Sequence, residues 1–256
     1  MSRLLNHKVI GEGQPLIILH GLFGSLDNWI TLGKRFSQDL KVVLVDQRNH
    51  GKSFHDSVFN YTEMADDLNH LIDSLQLEQP ILLGHSMGGK TVMQYAAFHS
   101  VNINKLIVAD IGPKFYPVHH ELIIEALKTA NLKSIQKRED LDIELAKLIP
   151  ERGTRIFLMK NLKRDENGQF AWKMNLNGIS DNIEEVGKPL DYYLPIETPT
   201  LFIRGSESRY IKDEDFDDII EIFPEAKFVT INGSGHWLHS DNPDKFYESV
   251  MNFILP

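Results

Sequence analysis

The sequence predicts an α/β fold: a mostly parallel twisted sheet flanked by helices, with a helical cap inserted into it. Three observations predict this. Short apolar runs of strand length alternate with segments patterned at helical spacing, as a parallel sheet with helical crossovers requires. One such run, Ile81-Leu82-Leu83, passes through Gly84-His85-Ser86-Met87-Gly88 straight into a helical stretch from Lys90 to Phe98. Strand signals then stop between Ile111 and about Pro189 and return at Thr200, which is the mark of an insertion.

The elements follow in order. His7 to Gly13 reads as a strand end and a turn, and Leu16 to His20 as a buried strand broken by Gly21-Leu22-Phe23-Gly24. Asp27 to Phe36 is a short helix, and Lys41 to Asp46 the next buried strand. Asn60 with Glu63 three residues on is a helix-start signal, and Met64, Ala65, Leu68, Leu71, Ile72 and Leu75 then share one helix face. Ile81 to Gly84 and Lys105 to Asp110 are further strands. Within the insertion, His119–Asn131, Leu141–Leu148 and Thr154–Leu162 read as helices, and Asn177-Gly178 reads as a break between segments. Thr200 to Gly205 and Lys227 to Ile231 are strands, Asp213 to Ile222 an acidic helix, and Asp244 to Phe253 the last helix. The expected division is a core of residues 1–112 and 190–256 with a cap of 113–189. Ligands bind beyond the carboxyl ends of the strands in open α/β sheets, so the cap is expected to roof the site.

Composition narrows the function. The chain has 256 residues, enough for one large domain with a sizeable core. A net charge of −9 argues against nucleic acid or an anionic membrane as partner. There is no cysteine, which excludes disulfides, thiolate catalysis and cysteine-based zinc sites. The stretch Met1 to His7 lacks the apolar core of a signal peptide, and no run reaches membrane-spanning length. A cytoplasmic protein without a membrane span is therefore expected. Nothing in the sequence specifies the oligomeric state.

Gly84, Ser86 and Gly88 form G-x-S-x-G between a strand and a helix, the context of a nucleophile elbow. The serine oxygen stands above the sheet there, with a helix N-terminus behind it to favour a developing oxyanion. A serine hydroxyl needs a base. His236, in the glycine-rich loop Gly233-Ser234-Gly235-His236-Trp237 after the last strand, is the candidate among 11 histidines. His239 is expected to be solvated or to cap the last helix, His85 to sit under the elbow, and His20 to orient a loop. The base needs an acid to fix its tautomer. The usual place, after the strand ending at Gly205, reads Gly205-Ser206-Glu207-Ser208, with serine where an aspartate would stand. Asp110, at the end of the preceding strand, is the expected acid, and Glu207 the alternative. Asp213 and Asp215 read as a solvated helix start. For the oxyanion hole, the expected amides are those of Met87 and Leu22, with Phe23 as second choice.

Taken together, His20-Gly21-Leu22-Phe23-Gly24-Ser25, Asp46-Gln47-Arg48-Asn49-His50-Gly51-Lys52-Ser53, Gly84 to Lys90 and Gly235-His236-Trp237 resemble the α/β-hydrolase superfamily, and more narrowly the small YbfF-like esterases. The resemblance implies an α/β-hydrolase fold and carboxylester hydrolysis, with acyl-CoA thioesters as a further substrate class. It also implies an acid after the sixth strand, where Asp110 falls.

The expected reaction is acyl transfer to water through an acyl-enzyme on Ser86, with no metal and no organic cofactor. The partner is a small-molecule acyl ester or thioester, of short to medium acyl length. Phe23, Phe115, Tyr116, Trp172, Tyr210 and Trp237 are candidates to line its pocket. Arg48 and His50 read as parts of a structural turn, or alternatively as contacts to a CoA phosphate. Epoxide hydrolases and haloalkane dehalogenases of such a fold need a carboxylate where Ser86 stands. A C–C bond hydrolase, a menaquinone-pathway lyase, a small-molecule receptor on the same scaffold and a cofactorless haloperoxidase are the rival readings.

Overall fold

The computed structural model describes residues 4–192 and 195–255. Met1 to Arg3, which open the stretch read for a signal peptide, lie outside them. The core strands are β1 (His7–Ile10), β2 (Pro15–Leu19), β3 (Lys41–Val45), β4 (Ile81–His85), β5 (Lys105–Ala109), β8 (Thr200–Gly205) and β9 (Ala226–Ile231). They form one sheet in the order β1-β3-β2-β4-β5-β8-β9. β1 pairs antiparallel with β3, and the other pairings are parallel.

Alternate residues of β2, β3, β4, β5 and β8 enter two cores, because side chains of a strand point to opposite faces. On one face Ile18, Leu44, Leu83, Ile107 and Ile203 pack with Trp29, Phe36 and Phe246. Phe36 belongs to α1 (Ile30–Phe36) and Phe246 to α11 (Pro243–Ile254). On the other face Leu19, Val45, Leu82, Val108 and Phe202 meet α2 (Tyr61–Ser74) and α3 (Met87–His99). Burial on both faces explains why these strands are continuously apolar instead of alternating. Asn60 caps α2 by accepting from Glu63 N at 2.9 Å, as the sequence signal implied. The Glu63 carboxylate turns instead to Arg48.

Between β5 and β8 lie α4 (Glu121–Thr129), α5 (Arg138–Ala146), α6 (Arg152–Met159), β6 (Leu162–Arg164), β7 (Phe170–Trp172), α7 (Leu176–Asp181) and α8 (Ile183–Gly187). This corrects the expectation of a purely helical insertion: β6 and β7 pair as an antiparallel hairpin. Its turn is built by Asp165, whose Oδ1 accepts from Asn167 N and Gln169 N, and Gly168 there has a φ of 76°. Asn177-Gly178 is no break either, since both residues lie within α7. Beyond β8, α9 (Phe216–Ile222) follows a short 3-10 turn. Asp215 in that turn is buried, not solvated, and pairs with Lys114 at 2.5 Å. The short α10 (Leu238–Asp241) completes the chain before α11.

Both connections of the insertion meet at one side chain. Lys90, fully buried on α3, donates to the carbonyls of Lys114 at 2.9 Å, Gly187 at 3.4 Å and Lys188. Burial pushes its ammonium down to about 7. Among the described residues, no helix is long and apolar enough to cross a membrane.

Candidate active site

Ser86 is the first residue beyond β4, with φ 52° and ψ −119°. A non-glycine residue takes such a conformation only when its surroundings hold it there. The close approach of strand and helix does so. A Cβ on Gly84 would collide with the Gly88 carbonyl, and one on Gly88 would lie 2.6 Å from the Leu19 oxygen. Ser86 N donates to Ala109 O at 2.9 Å, and Asp110 N to Ile203 O at 2.8 Å. The sheet ladder thus extends one step past the strands. It sets Ser86 and Asp110 side by side at the carboxyl ends of neighbouring strands, and Asp110 too is held at a positive φ of 55°.

The structure brings Ser86, His236 and Asp110 together. His236 Nε2 lies 3.0 Å from Ser86 Oγ, and Nδ1 lies 2.7 Å from Asp110 Oδ2. A carboxylate only accepts, so Nδ1 carries the ring proton and Nε2 is free to receive the serine's. Asp110 is completely buried. It also accepts from Gly205 N at 3.2 Å and from Ser208 Oγ. Ser208 was not among the sequence candidates. The signal was visible as a serine at the usual acid position, and its hydroxyl donates here to Asp110 on the adjacent strand. Glu207, the alternative acid, is exposed, and its amide donates to Ser234 O at 2.9 Å. Its position turned outward corrects that alternative.

Other rings support His236. Its carbonyl accepts from His85 Nε2 at 2.8 Å, so the residue before Ser86 holds the loop that carries His236. Tyr210 stacks on the imidazole with centroids 4.0 Å apart, and its hydroxyl donates to His119 Nε2 at 2.9 Å. His239 is buried and stacks on Trp29 at 4.3 Å, which corrects the expectation of a solvated residue. Burial pushes His239 down to about 3, and His85 well below its usual value, so both rings stay neutral. His20 orients a loop as expected: Nδ1 donates to Gly21 O at 2.8 Å and Nε2 accepts from Gln47 N at 3.1 Å. Burial lowers it to about 4.

Two amides at the site are of interest for an oxyanion. Met87 is the first residue of α3, where the N–H has no acceptor within the helix. Leu22 lies in the loop after β2 and lines the cavity with Ser86. Phe23, the second choice, is excluded because its N–H donates to His50 Nε2 at 3.1 Å.

A cavity of about 280 Å³ opens above Ser86 and His236, between core and insertion. Phe23, Trp29, Ile123, Phe157, Tyr210 and Trp237 are among its walls. Tyr116 lines a smaller adjoining cavity that also reaches Ser86. Two aromatic candidates are corrected. Phe115 is 57% exposed and lines neither cavity. Trp172 sits in β7, where its Nε1 donates to Leu127 O at 3.3 Å. Arg48 is buried in ion pairs with Asp67 at 2.6 Å and Glu63 at 3.1 Å, and His50 is fully buried. Neither is presented to a ligand phosphate.

Comparison with known proteins agrees with this fold. Residues 14–142 match the family model described as the alpha/beta hydrolase fold. The sn-1-specific diacylglycerol lipase ABHD11 of Danio rerio is 37% identical over 254 residues, covering 96% of this chain and 80% of that protein. Esterase YbfF of Escherichia coli strain K12 is 34% identical over 244 residues, covering 95% of this chain and 94% of that one. The solved structure of a marine microorganism esterase superposes with a TM-score of 0.96 at 42% identity, covering 98% of this chain and 100% of its own. The chain belongs to the α/β-hydrolase family, and within it to the YbfF-like esterases.

Proposed function

We propose that this chain hydrolyses short- to medium-chain acyl esters through an acyl-enzyme on Ser86. The chain is a carboxylic ester hydrolase, and the observation that carries the finer reading is the hydrogen-bonded line from Ser86 through His236 to Asp110, at 3.0 and 2.7 Å, beneath an apolar cavity. Ser86 Oγ attacks the ester carbonyl carbon while His236 Nε2 takes its proton. The carbonyl oxygen becomes an oxyanion and accepts from the Met87 and Leu22 amides. Collapse breaks the bond to the alcohol oxygen, and the imidazolium returns its proton there. Water then attacks the acyl-enzyme by the same route, releasing the acid and restoring Ser86. Buried Asp110 holds the tautomer and balances the imidazolium throughout.

Esters are favoured over CoA thioesters because the basic groups offered for a CoA phosphate, Arg48 and His50, are turned into the protein. The test is initial rates on p-nitrophenyl esters of increasing acyl length, with Ser86→Ala in parallel. Hydrolysis that vanishes in the variant and peaks at a short or medium chain is the expected result. Equal rates for the two proteins on every ester would reject the reading.

A further inference from the structure

The loop that carries Leu22 is held in an unfavourable conformation from two sides, and one of the holders belongs to the insertion. Gly24 N donates to Gly21 O at 2.9 Å and closes a four-residue turn. Phe23 is its third residue, with φ 58°. A positive φ there is that of a type II turn, in which glycine or asparagine is favoured. A bulky residue is strained at that angle. The turn therefore does not follow from Phe23 and must be imposed.

Its two peptide groups show how. The N–H of Phe23 donates to His50 Nε2 of the core. The carbonyl of Phe23 accepts from Asn161 Nδ2 at 2.6 Å. Asn161 lies between α6 and β6 in the insertion and is 1% exposed. Its Nδ2 also reaches Leu158 O at 3.3 Å. Its Oδ1 is buried and has no hydrogen-bond partner among the described residues. An orphaned buried oxygen is unfavourable, so this asparagine is explained by what its NH₂ end does. The hairpin that starts here is tied to the other holder as well. Lys173 N donates to Asn161 O at 2.8 Å, and Asn175 donates to Asn49, beside His50, through its backbone N at 2.8 Å and its Nδ2 at 3.0 Å.

We propose that Asn161 is a positioning residue for the oxyanion hole: by holding the Phe23 carbonyl it keeps the Gly21–Gly24 turn in the form that aims the Leu22 amide at the reacting carbonyl. The hole is then complete only while the insertion is seated on the core. The proposal rests on the esterase reading above, since it concerns the amide that reading assigns to the oxyanion.

The experiment compares wild type with Asn161→Leu, which keeps the branched shape without a donor. It reads kcat and KM on p-nitrophenyl acetate and the hydrogen-exchange rate of the Phe23 amide. Outright loss of an oxyanion donor lowers kcat by about 100- to 1,000-fold. A misaimed donor is expected to lower it by about 10- to 100-fold, with KM unchanged. The Phe23 amide exchanges faster, while amides of β4 keep their protection. Wild-type kcat in the variant overturns the proposal, and so does a fall in kcat with Phe23 still protected. Should the leucine fail to fold, Asn161→Ala carries the same readouts. Failure of the esterase reading shows separately, as equal turnover by wild type and Ser86→Ala. The exchange rate of Phe23 then decides alone, unchanged protection overturning the clamp and lost protection supporting it.

Discussion

Replacing Asp110 by asparagine tests the proposed role of this carboxylate, to fix the tautomer of His236, without changing the shape of the site. The carboxylate is completely buried and accepts from His236 Nδ1 at 2.7 Å, from Gly205 N at 3.2 Å and from Ser208 Oγ. An asparagine keeps one acceptor, which Gly205 N occupies, and turns its NH₂ toward His236. The imidazole then avoids a donor–donor clash by moving its proton to Nε2. In that tautomer it cannot accept from Ser86. Loss of the correct tautomer in a serine triad lowers kcat by about 10⁴-fold, which corresponds to about 5.4 kcal/mol of transition-state stabilisation. The control is Glu207→Gln, an exposed side chain, where a change within about 0.5 kcal/mol is expected. Steady-state hydrolysis of p-nitrophenyl acetate gives both numbers, and near-ultraviolet circular dichroism checks that the fold persists. A kcat for Asp110→Asn within tenfold of wild type, or a collapse in Glu207→Gln, would refute the assignment of the acid.

Other expectations follow from close contacts and buried charges. Gly84→Ala places a Cβ against the Gly88 carbonyl and the Gly89 nitrogen, and a loss of about 3 kcal/mol or more in urea unfolding is expected; an unchanged midpoint would mean that strand and helix are not in contact there. His20, His50 and His239 are pushed down by burial to about 4, 3 and 3. Between pH 6.5 and about 4 the unfolded chain therefore binds protons that the folded chain refuses. Stability is intact above that window and falls as pH drops through it, by about 1.4 kcal/mol per pH unit for each histidine. His239→Phe retains a ring against Trp29 and is expected to flatten this dependence, as read from urea midpoints across the same range; an unaltered slope would contradict it. Lys90→Met takes the donor from the Lys114 and Lys188 carbonyls, while Gly187 O keeps Tyr116 N, and each lost bond contributes about 1 kcal/mol. Limited proteolysis at the two connections of the insertion is expected to accelerate, and equal cleavage rates would show that the lysine does not hold them.

The core was legible because its information is local. β2 to β5 and β8 are apolar on both faces, and G-x-S-x-G reports its own turn. Asp110 was readable as a strand end at the rim where Ser86 stands. What escaped the sequence depends on contacts between distant residues. Ser208 acts as a donor only because β8 lies beside β5 in the sheet. Asp215, beyond β8, is paired in its buried position by Lys114 from the start of the insertion. His239 sits in a polar run, and its burial is set by Trp29. The hairpin was missed because β6 and β7 have three residues each, too few for a period to register. Phe115 and Trp172 show that aromatic character does not tell which way a ring faces.

The way Lys90 grips the insertion bears on how such a protein can change over time. Its acceptors at positions 114 and 188 are main-chain oxygens, which every amino acid carries. The recognition is thus blind to side-chain identity at those points. Substitutions there leave the anchor intact, and so would exchange of the whole insertion for another that brings its backbone to the same place. The core keeps the lysine, and the roof above the serine is left free to diversify toward other esters.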